Sequence, residues 1–314
     1  MIKAKLPVVV ILGPTAVGKS EWAVGLAKKL SAEIISADSR LFYRGMDIGT
    51  AKPSIDERAG IKHYLIDIAD PDETYSLAQF KSSARSAIVD IRRRGKLPFL
   101  VGGTGQYIRG VVENWNIPEV MPDQILRRVL EDWSQVIGTD GLHNRLACID
   151  PQAAERIDHR NLRRTVRALE VIFHTGRRFS EQGRKGPSPY NVINIGLTRP
   201  RSKLFARIDA RIDEMIAAGF VYEVQTLLDK GYTPTLPSFS AIGYREIAAY
   251  LSGEISLDEA VRVIRKQSRI YVRRQANWFK PDDPAIHWFD LQNSDMDAIE
   301  VRIRDWLDKI LVGV

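Results

Sequence analysis

Residues 7–12, PVVVIL, form an unbroken apolar run rich in β-branched side chains that ends at Gly13. That pattern predicts a strand buried on both faces. After the segment GPTAVGKS (13–20), the apolar positions change to helical spacing, with Trp22, Ala23, Leu26, Ala27 and Leu30 on one face. A second short strand is predicted at Glu33–Ala37, ending at Asp38, and a third at His63–Ile68. Ser76 and Gln79 have the spacing of a capping box. The helix they open would bury Leu77, Phe80, Ala84, Ile88 and Ile91 and stop at Gly95. Leu97–Val101 reads as another buried strand, running into GGTG (102–105). Strands alternating with helices predict an α/β fold with a parallel, doubly wound sheet. Ligands of such sheets lie beyond the carboxyl ends of the strands, so Gly13, Asp38 and Gly102 would surround one crevice.

The pattern breaks near Glu113, where Pro118 and Pro122 interrupt it. A helical stretch dense in arginine follows from about 123 to 175, and the segment GRKGPSP (183–189) closes it. NVINIGLTRP (191–200) then reads as a strand that re-enters the first sheet. The expected organisation is a core of residues 1–112 and 191–314 interrupted by a helical insertion, 113–190. The remainder is expected to be helical. One helix is placed at 203–229, with Ile208, Ile212, Met215, Val224 and Leu228 inside. A second spans 256–280, opened by a capping box from Ser256 to Glu259. No internal repeat or low-complexity tract interrupts the chain.

At 314 residues and 44% hydrophobic content, the chain has material for one large domain and a smaller one. Its net charge of +7 points to a polyanionic partner if the excess proves to be localised. A single cysteine, Cys148, excludes an intrachain disulfide and a thiolate zinc cluster. The five histidines, His63, His143, His159, His174 and His287, lack the spacing of a catalytic zinc helix. The apolar run at the N-terminus is too short for a signal peptide and no stretch approaches a membrane span, so a cytoplasmic setting is expected.

GPTAVGKS fits G-x-x-x-x-G-K-[ST] between a predicted strand and a predicted helix, the context which that motif requires. In such a loop the backbone N–H groups turn in around phosphate oxygens and the helix N-terminus adds its dipole. The diphosphate cradle would be Gly13, Pro14, Thr15, Ala16, Val17, Gly18, Lys19 and Ser20, with N–H groups drawn from 14–19. Lys19 would neutralise the terminal phosphates, and Ser20 would ligate Mg²⁺, which favours hard oxygen ligands. The loop alone does not say which phosphorylated molecule binds. Asp38, at a strand tip beside Ser39, is placed to hold Mg²⁺ or to take a proton; it would equally serve as the cap of its own turn. Thr104 in GGTG has a hydroxyl for an acceptor or a leaving phosphate, or simply caps a helix.

Taken in order, GPTAVGKS, ADS (37–39), GMDIGTAKP (45–53), HYLIDIADPDETYSLAQF (63–80), VGGTGQY (101–107), RALEV (167–171), GYREI (243–247) and RRQANWF (273–279) resemble the tRNA dimethylallyltransferase, or isopentenyltransferase, family across nearly the whole chain. The resemblance implies a P-loop kinase-like core with an inserted helical domain. Its substrates would be dimethylallyl diphosphate and the tRNA adenosine just 3′ of the anticodon, with Mg²⁺ and without consumption of ATP. By motif position, Asp38 is the general base, Thr104 lies near the acceptor amine and the diphosphate, and Arg127 aligns with an arginine contacting substrate. The implied tRNA contacts are Asp38, Ser39, Arg40 and Leu41; Thr104 and Arg127; Arg163, Arg164 and Arg167; Gly243, Tyr244 and Arg245; and Arg269, Arg273, Arg274 and Gln275. The chain departs from the family pattern at Leu41, where glutamine is usual, and at Asn277, where threonine is. Arg160 and Asn161 stand where Asn-Asp is usual.

The chemistry suits these residues. The adenine N6 amine is a weak nucleophile that needs a base as the bond to carbon develops, and the departing diphosphate needs its charge held. A stacked adenine cannot reach a crevice, so it must swing out of the loop. Two arginine stripes fit an RNA backbone or, individually, an ordinary solvated face. One comprises Arg160, Arg163 or Arg164, and Arg167; the other Arg262, Arg265, Arg269 and Arg273. Tyr244 and Trp278 are either base-stacking residues or core. Two rival readings share the P-loop. One is a small-molecule kinase; the other is a nucleic-acid-dependent ATPase, for which Asp67 in YLIDI would be the Walker-B acid. Nothing in the sequence suggests an obligate dimer.

Overall fold

The computed structural model describes residues 5–118, 120–182 and 185–312, so the predicted segment GRKGPSP lies partly outside the described residues at Gly183 and Arg184. The chain divides into two compact units. The first takes residues up to Tyr75, Gln79–Val112 and everything from Ser188 on; the second takes Ser76–Ala78 and Glu113–Pro187.

In chain order the first part runs β1 (Leu6–Leu12), α1 (Lys19–Lys29), β2 (Ala32–Ser36), α2 (Ile55–Arg58), β3 (His63–Tyr64), α3 (Leu77–Arg93), β4 (Leu97–Gly102) and α4 (Gly105–Val112). Three helices follow: α5 (Gln124–Ile149), α6 (Pro151–Arg156) and α7 (Leu162–Thr175). The chain then returns through β5 (Tyr190–Thr198), α8 (Arg201–Ala217), α9 (Phe220–Asp229), α10 (Tyr244–Leu251), α11 (Leu257–Gln275), β6 (Ile286–Asp290) and α12 (Met296–Val312).

The six strands form one parallel sheet in the order β3-β2-β4-β1-β5-β6. β1, β2 and β4 are almost wholly buried, as their continuous apolar runs require. β5 pairs with β1 from Leu6↔Tyr190 to Leu12↔Gly196, so the strand after the helical segment does re-enter the sheet. The register Leu12↔Gly102 and Ser36↔Val101 brings the carboxyl ends of β1, β4 and β2 level.

Four expectations in the first unit need correction. The third strand stops at Tyr64 because Leu65 and Asp67 adopt positive φ, 61° and 56°. The helix expected at 203–229 is two, broken at Gly219 with φ 98°. The helix expected at 256–280 ends at Gln275; Ser256 caps it, but Glu259 pairs with Arg262 instead of closing the box. β6 was missed, since HWF carries no alternation and follows a Pro/Asp-rich stretch.

The second unit packs α5, α6 and α7 around Leu130, Leu142, Leu146, Val166 and Leu169. The single stretch expected at 123–175 is divided by Asp150, which caps α6 ahead of Pro151, and by the loop before Asn161, whose side chain accepts from Arg164 N–H at 3.2 Å. Gly138 kinks α5. At the centre, Glu170 is fully buried and held by Arg127, Arg167 and the Asp123 N–H. Burial pushes its carboxyl up, yet these hydrogen bonds win and hold it below the ordinary range.

GMDIGTAKP is a structural anchor. The Glu223 carboxylate of α9 accepts the N–H groups of Asp47, Ile48 and Gly49 at 2.8, 2.7 and 3.1 Å, and the Tyr244 hydroxyl at 2.7 Å. Lys52, almost fully buried, donates to the Tyr43 carbonyl and pairs with Asp47 and Asp67. Asp67 therefore belongs to this anchor. Replacing Glu223 with Ala strands three N–H groups and a buried phenol, and should lower unfolding stability by at least about 3 kcal/mol. Urea denaturation checks this; an unmoved midpoint would show that the carboxylate holds nothing.

Candidate active site

The loop from β1 to α1 is held open by charge. Arg199 Nε donates to the Val17 carbonyl at 3.0 Å and Arg207 Nε to the Ala16 carbonyl at 2.8 Å. A trans peptide points its N–H away from its C=O, so drawing the Val17 carbonyl one way turns the Gly18 N–H the other. Gly18 sits at φ 111° as the residue before α1, and no side chain caps that helix. The N–H groups of its first turn thus remain for an anion. The cradle is narrower than 14–19. Pro14 has no N–H, Thr15 gives its own to Gln275 Oε1 at 2.8 Å, and Val17 closes a turn on Pro14. Ala16, Gly18, Lys19 and Ser20 are left.

Lys19 donates to the Pro14 carbonyl at 2.8 Å. Its ammonium is lowered to about 8, first by desolvation; the Asp38 charge opposes that shift and the Arg211 charge adds to it. Lys19 therefore lies within reach of the charges of Asp38, after β2, and Arg211, on α8. Asp38 is half-buried, and one oxygen accepts the Arg40 N–H at 3.0 Å, which is the turn cap foreseen as its bland role. Its second oxygen has no hydrogen-bond partner among the described residues. The same carboxylate acts on two phenols. Tyr107 is pushed up to about 12 by burial, and Tyr271 is raised by burial and then by the charge of Asp38. Thr104 Oγ1 is buried without a hydrogen-bond partner, and both Thr104 and Asp38 act on the Tyr271 hydroxyl. Asp38, Lys19 and Thr104 are thus neighbours around one polar site at the strand ends. Ser20, the suggested Mg²⁺ ligand, is exposed at its edge.

The remaining predicted residues divide. Ser39, Arg40 and Leu41 form the turn after Asp38, and Arg40 donates to Ser240 at 3.1 Å. Arg163 and Arg164 are exposed on α7, whereas Arg127 and Arg167 are committed to Glu170. Arg245, Arg273 and Arg274 are exposed; Arg269 pairs with Asp209 and Arg265 with Asp213, so the α11 stripe is partly neutralised by α8. Three of the expected tRNA contacts lie inside the fold. Tyr244 is fully buried, Gly243 is a buried cap with φ 107°, and Gln275 is 5% exposed with both ends of its amide engaged. Trp278 packs on Gly105, where a Cβ would come within 2.4 Å, and is not a free stacking surface. Arg199, Arg207, Arg211 and Tyr271 escaped the sequence reading. The i, i+4 pair Arg207–Arg211, flanking the apolar positions Ile208 and Ile212, was the available signal.

The family model described as IPP transferase matches residues 41–282, and one described as isopentenyl transferase matches residues 6–70. The chain belongs to the IPP transferase family. Among relatives named tRNA dimethylallyltransferase, that of Roseiflexus sp. is 48% identical over 96% of this chain and 99% of its own length. That of Halalkalibacterium halodurans is 44% identical over 98% and 97%. The crystal structure of the full-length tRNA isopentenylpyrophosphate transferase from Bacillus halodurans superposes with TM-score 0.72 at 42% identity, covering 98% of each chain. A eukaryotic dimethylallyltransferase caught acting on tRNA superposes with TM-score 0.82 at 28% identity, covering 97% of this chain and 80% of its own. For this IPP transferase chain, as expected from its sequence, no helix among the described residues is long and apolar enough to cross a membrane.

An unfolded chain keeps the Lys19 proton up to its ordinary 10.5, the folded one only up to about 8. Between those values folding expels the proton, so stability rises with pH while the cation facing a bound anion is lost. The dissociation constant for inorganic diphosphate should therefore increase above about pH 8. Calorimetric titration of the Lys19→Met variant should lose that limb; the same limb persisting would assign it to another group.

Proposed function

We propose that this chain transfers a dimethylallyl group from dimethylallyl diphosphate to the exocyclic N6 amine of the adenosine 3′ of the anticodon in tRNA, releasing diphosphate. The observation that carries this reading is that the Asp38 carboxylate acts on the ammonium of Lys19 in the glycine loop and, together with Thr104, on the Tyr271 hydroxyl, which gathers the three at the strand ends. The adenine N6–carbon bond forms as the carbon–oxygen bond to diphosphate breaks. Asp38 takes the N6 proton, and Thr104 bonds the amine or the leaving oxygen. Lys19, the loop N–H groups and the neighbouring Arg207 and Arg211 hold the charge that gathers on diphosphate. The half-buried Asp38 has its second oxygen ready, which suits a base better than a permanently engaged carboxylate.

The donor set fits Mg²⁺. No cluster of three or more acidic, histidine or cysteine side chains occurs among the described residues, while Ser20 offers a hard oxygen beside the cradle. A small cation held by one hydroxyl and by substrate phosphates needs no more protein ligands than that. When bound through Ser20 it would add Lewis-acid stabilisation of the diphosphate.

The proposed domain division is a core of 1–112 and 191–314 and an insertion of 113–190 that meets tRNA through Arg163 and Arg164. Cytoplasmic location suits the tRNA partner and the exposed, unpaired Cys148.

Incubating the protein with unmodified tRNA and labelled dimethylallyl diphosphate should place label in the tRNA, and Asp38→Asn should abolish turnover while tRNA binding persists. Phosphate release from ATP, or label entering tRNA from ATP alone, would install one of the rival readings. Because Arg167 also steadies Glu170, the cleaner test of the insertion is Arg163→Ala with Arg164→Ala. That pair should flatten the salt dependence of tRNA affinity by a slope of about 1–2. An unaltered slope would return both arginines to ordinary surface.

A further inference from the structure

One side chain joins the two halves of the cleft. Gln275, the last residue of α11, accepts the Thr15 N–H through Oε1 at 2.8 Å and donates through Nε2 to the Gly103 carbonyl at 3.2 Å. It lies 5% exposed. Thr15 belongs to the loop after β1, which faces the diphosphate; Gly103 precedes Thr104 in the loop after β4, which faces the acceptor. The two loops present opposite groups, one N–H and one C=O. A neutral amide satisfies both, whereas a carboxylate would repel the carbonyl and a hydrocarbon would leave both unpaired. The amide lies so close to Gly103 that a Cβ there would come within 2.3 Å of Nε2. The end of α11 is fixed independently: Arg109 of α4 donates to the Trp278 carbonyl at 2.8 Å, and the Trp278 ring covers Gly105. One turn earlier, the Tyr271 hydroxyl is influenced by both Gln275 and Thr104.

We infer that Gln275 is a positioning residue that sets the spacing between the diphosphate loop and the Thr104 loop, so that occupancy of one is felt at the other. This rests on the prenyl-transfer reading for the identity of the two substrates. Both ends of the amide are engaged by the protein itself. It acts through Thr15 and Gly103, and the donor and acceptor atoms it aligns must meet within a fraction of an ångström for efficient transfer.

The experiment uses the full chain with Gln275→Glu and Gln275→Leu. Single-turnover transfer at saturating donor and tRNA should slow by about a hundredfold, the cost of a misplacement near 1 Å. Unmodified tRNA alone should bind each variant as it binds the wild type. Saturating inorganic diphosphate should change tRNA affinity in the wild type by at least about fivefold, the lower range of site coupling, and leave it unchanged in the variants. An unslowed transfer step, a wild type without coupling, or variants that retain it would each overturn the inference. So would weaker tRNA binding with transfer intact at saturation, which assigns Gln275 to the RNA. Should the Gln275 variants fail to fold, Gly103→Ala displaces the amide without altering α11; wild-type coupling in that variant overturns the inference equally. The coupling is read without turnover. A wild type that shows coupling but moves no label thus sinks the prenyl reading and leaves the clasp standing.

Discussion

The level meeting of three strand ends governs this molecule. β1, β4 and β2 stop within one residue of register of each other, and a Cβ at Gly102 would come within 2.3 Å of the Ala37 carbonyl. At that spacing the loop after each strand starts about one strand width, roughly 5 Å, from its neighbour. A carboxylate, an ammonium and a hydroxyl carried two to seven residues beyond the strand ends then have little choice but to share a cleft. The chemistry follows from parallel pairing that the apolar runs of β1, β2 and β4 enforce.

Within the cleft, desolvation and charge act against each other. Burial alone would discharge Lys19, and Asp38 opposes that loss while Arg211 deepens it. The site thus gathers several cations around one carboxylate, an arrangement that suits an anionic ligand. Charge also serves for strength, both at the glycine loop and far from it. Arg199 and Arg207 hold loop carbonyls, and Glu223 fills the ring of N–H groups at 47–49.

Much of this was legible in the chain. Periodicity located β1, β2, β4 and β5, and the glycine motif located the loop between β1 and α1. The positions of Asp38 and Thr104 just past β2 and β4 were legible in the same way. What escaped was set by long-range partners. β6 joins the sheet only because β5 offers an edge, from Asn194↔Ile286 to Thr198↔Asp290. Arg207, Arg211 and Tyr271 reach the cleft from helices whose spacing in sequence says nothing of where they dock. Local spacing also misled. Tyr244 and Gln275 lie in motifs that suggest RNA contact, yet a half-buried acid and two loop backbones claim them. The charge stripe on α11 looked free because Asp209 and Asp213, its partners, are about fifty to sixty residues away.

The Glu223 anchor has a consequence for how the chain matures. Its carboxylate binds N–H groups 174 to 176 positions earlier, and no nearer acid replaces it. As a nascent chain leaves the ribosome, the segment around Asp47 must wait for α9 before its backbone is satisfied, just as β1 waits for β5. The three-helix unit between them depends on contacts made within its own short span and can form first. The interrupting segment thus folds while the halves of the sheet that flank it are still incomplete, and the cleft assembles last.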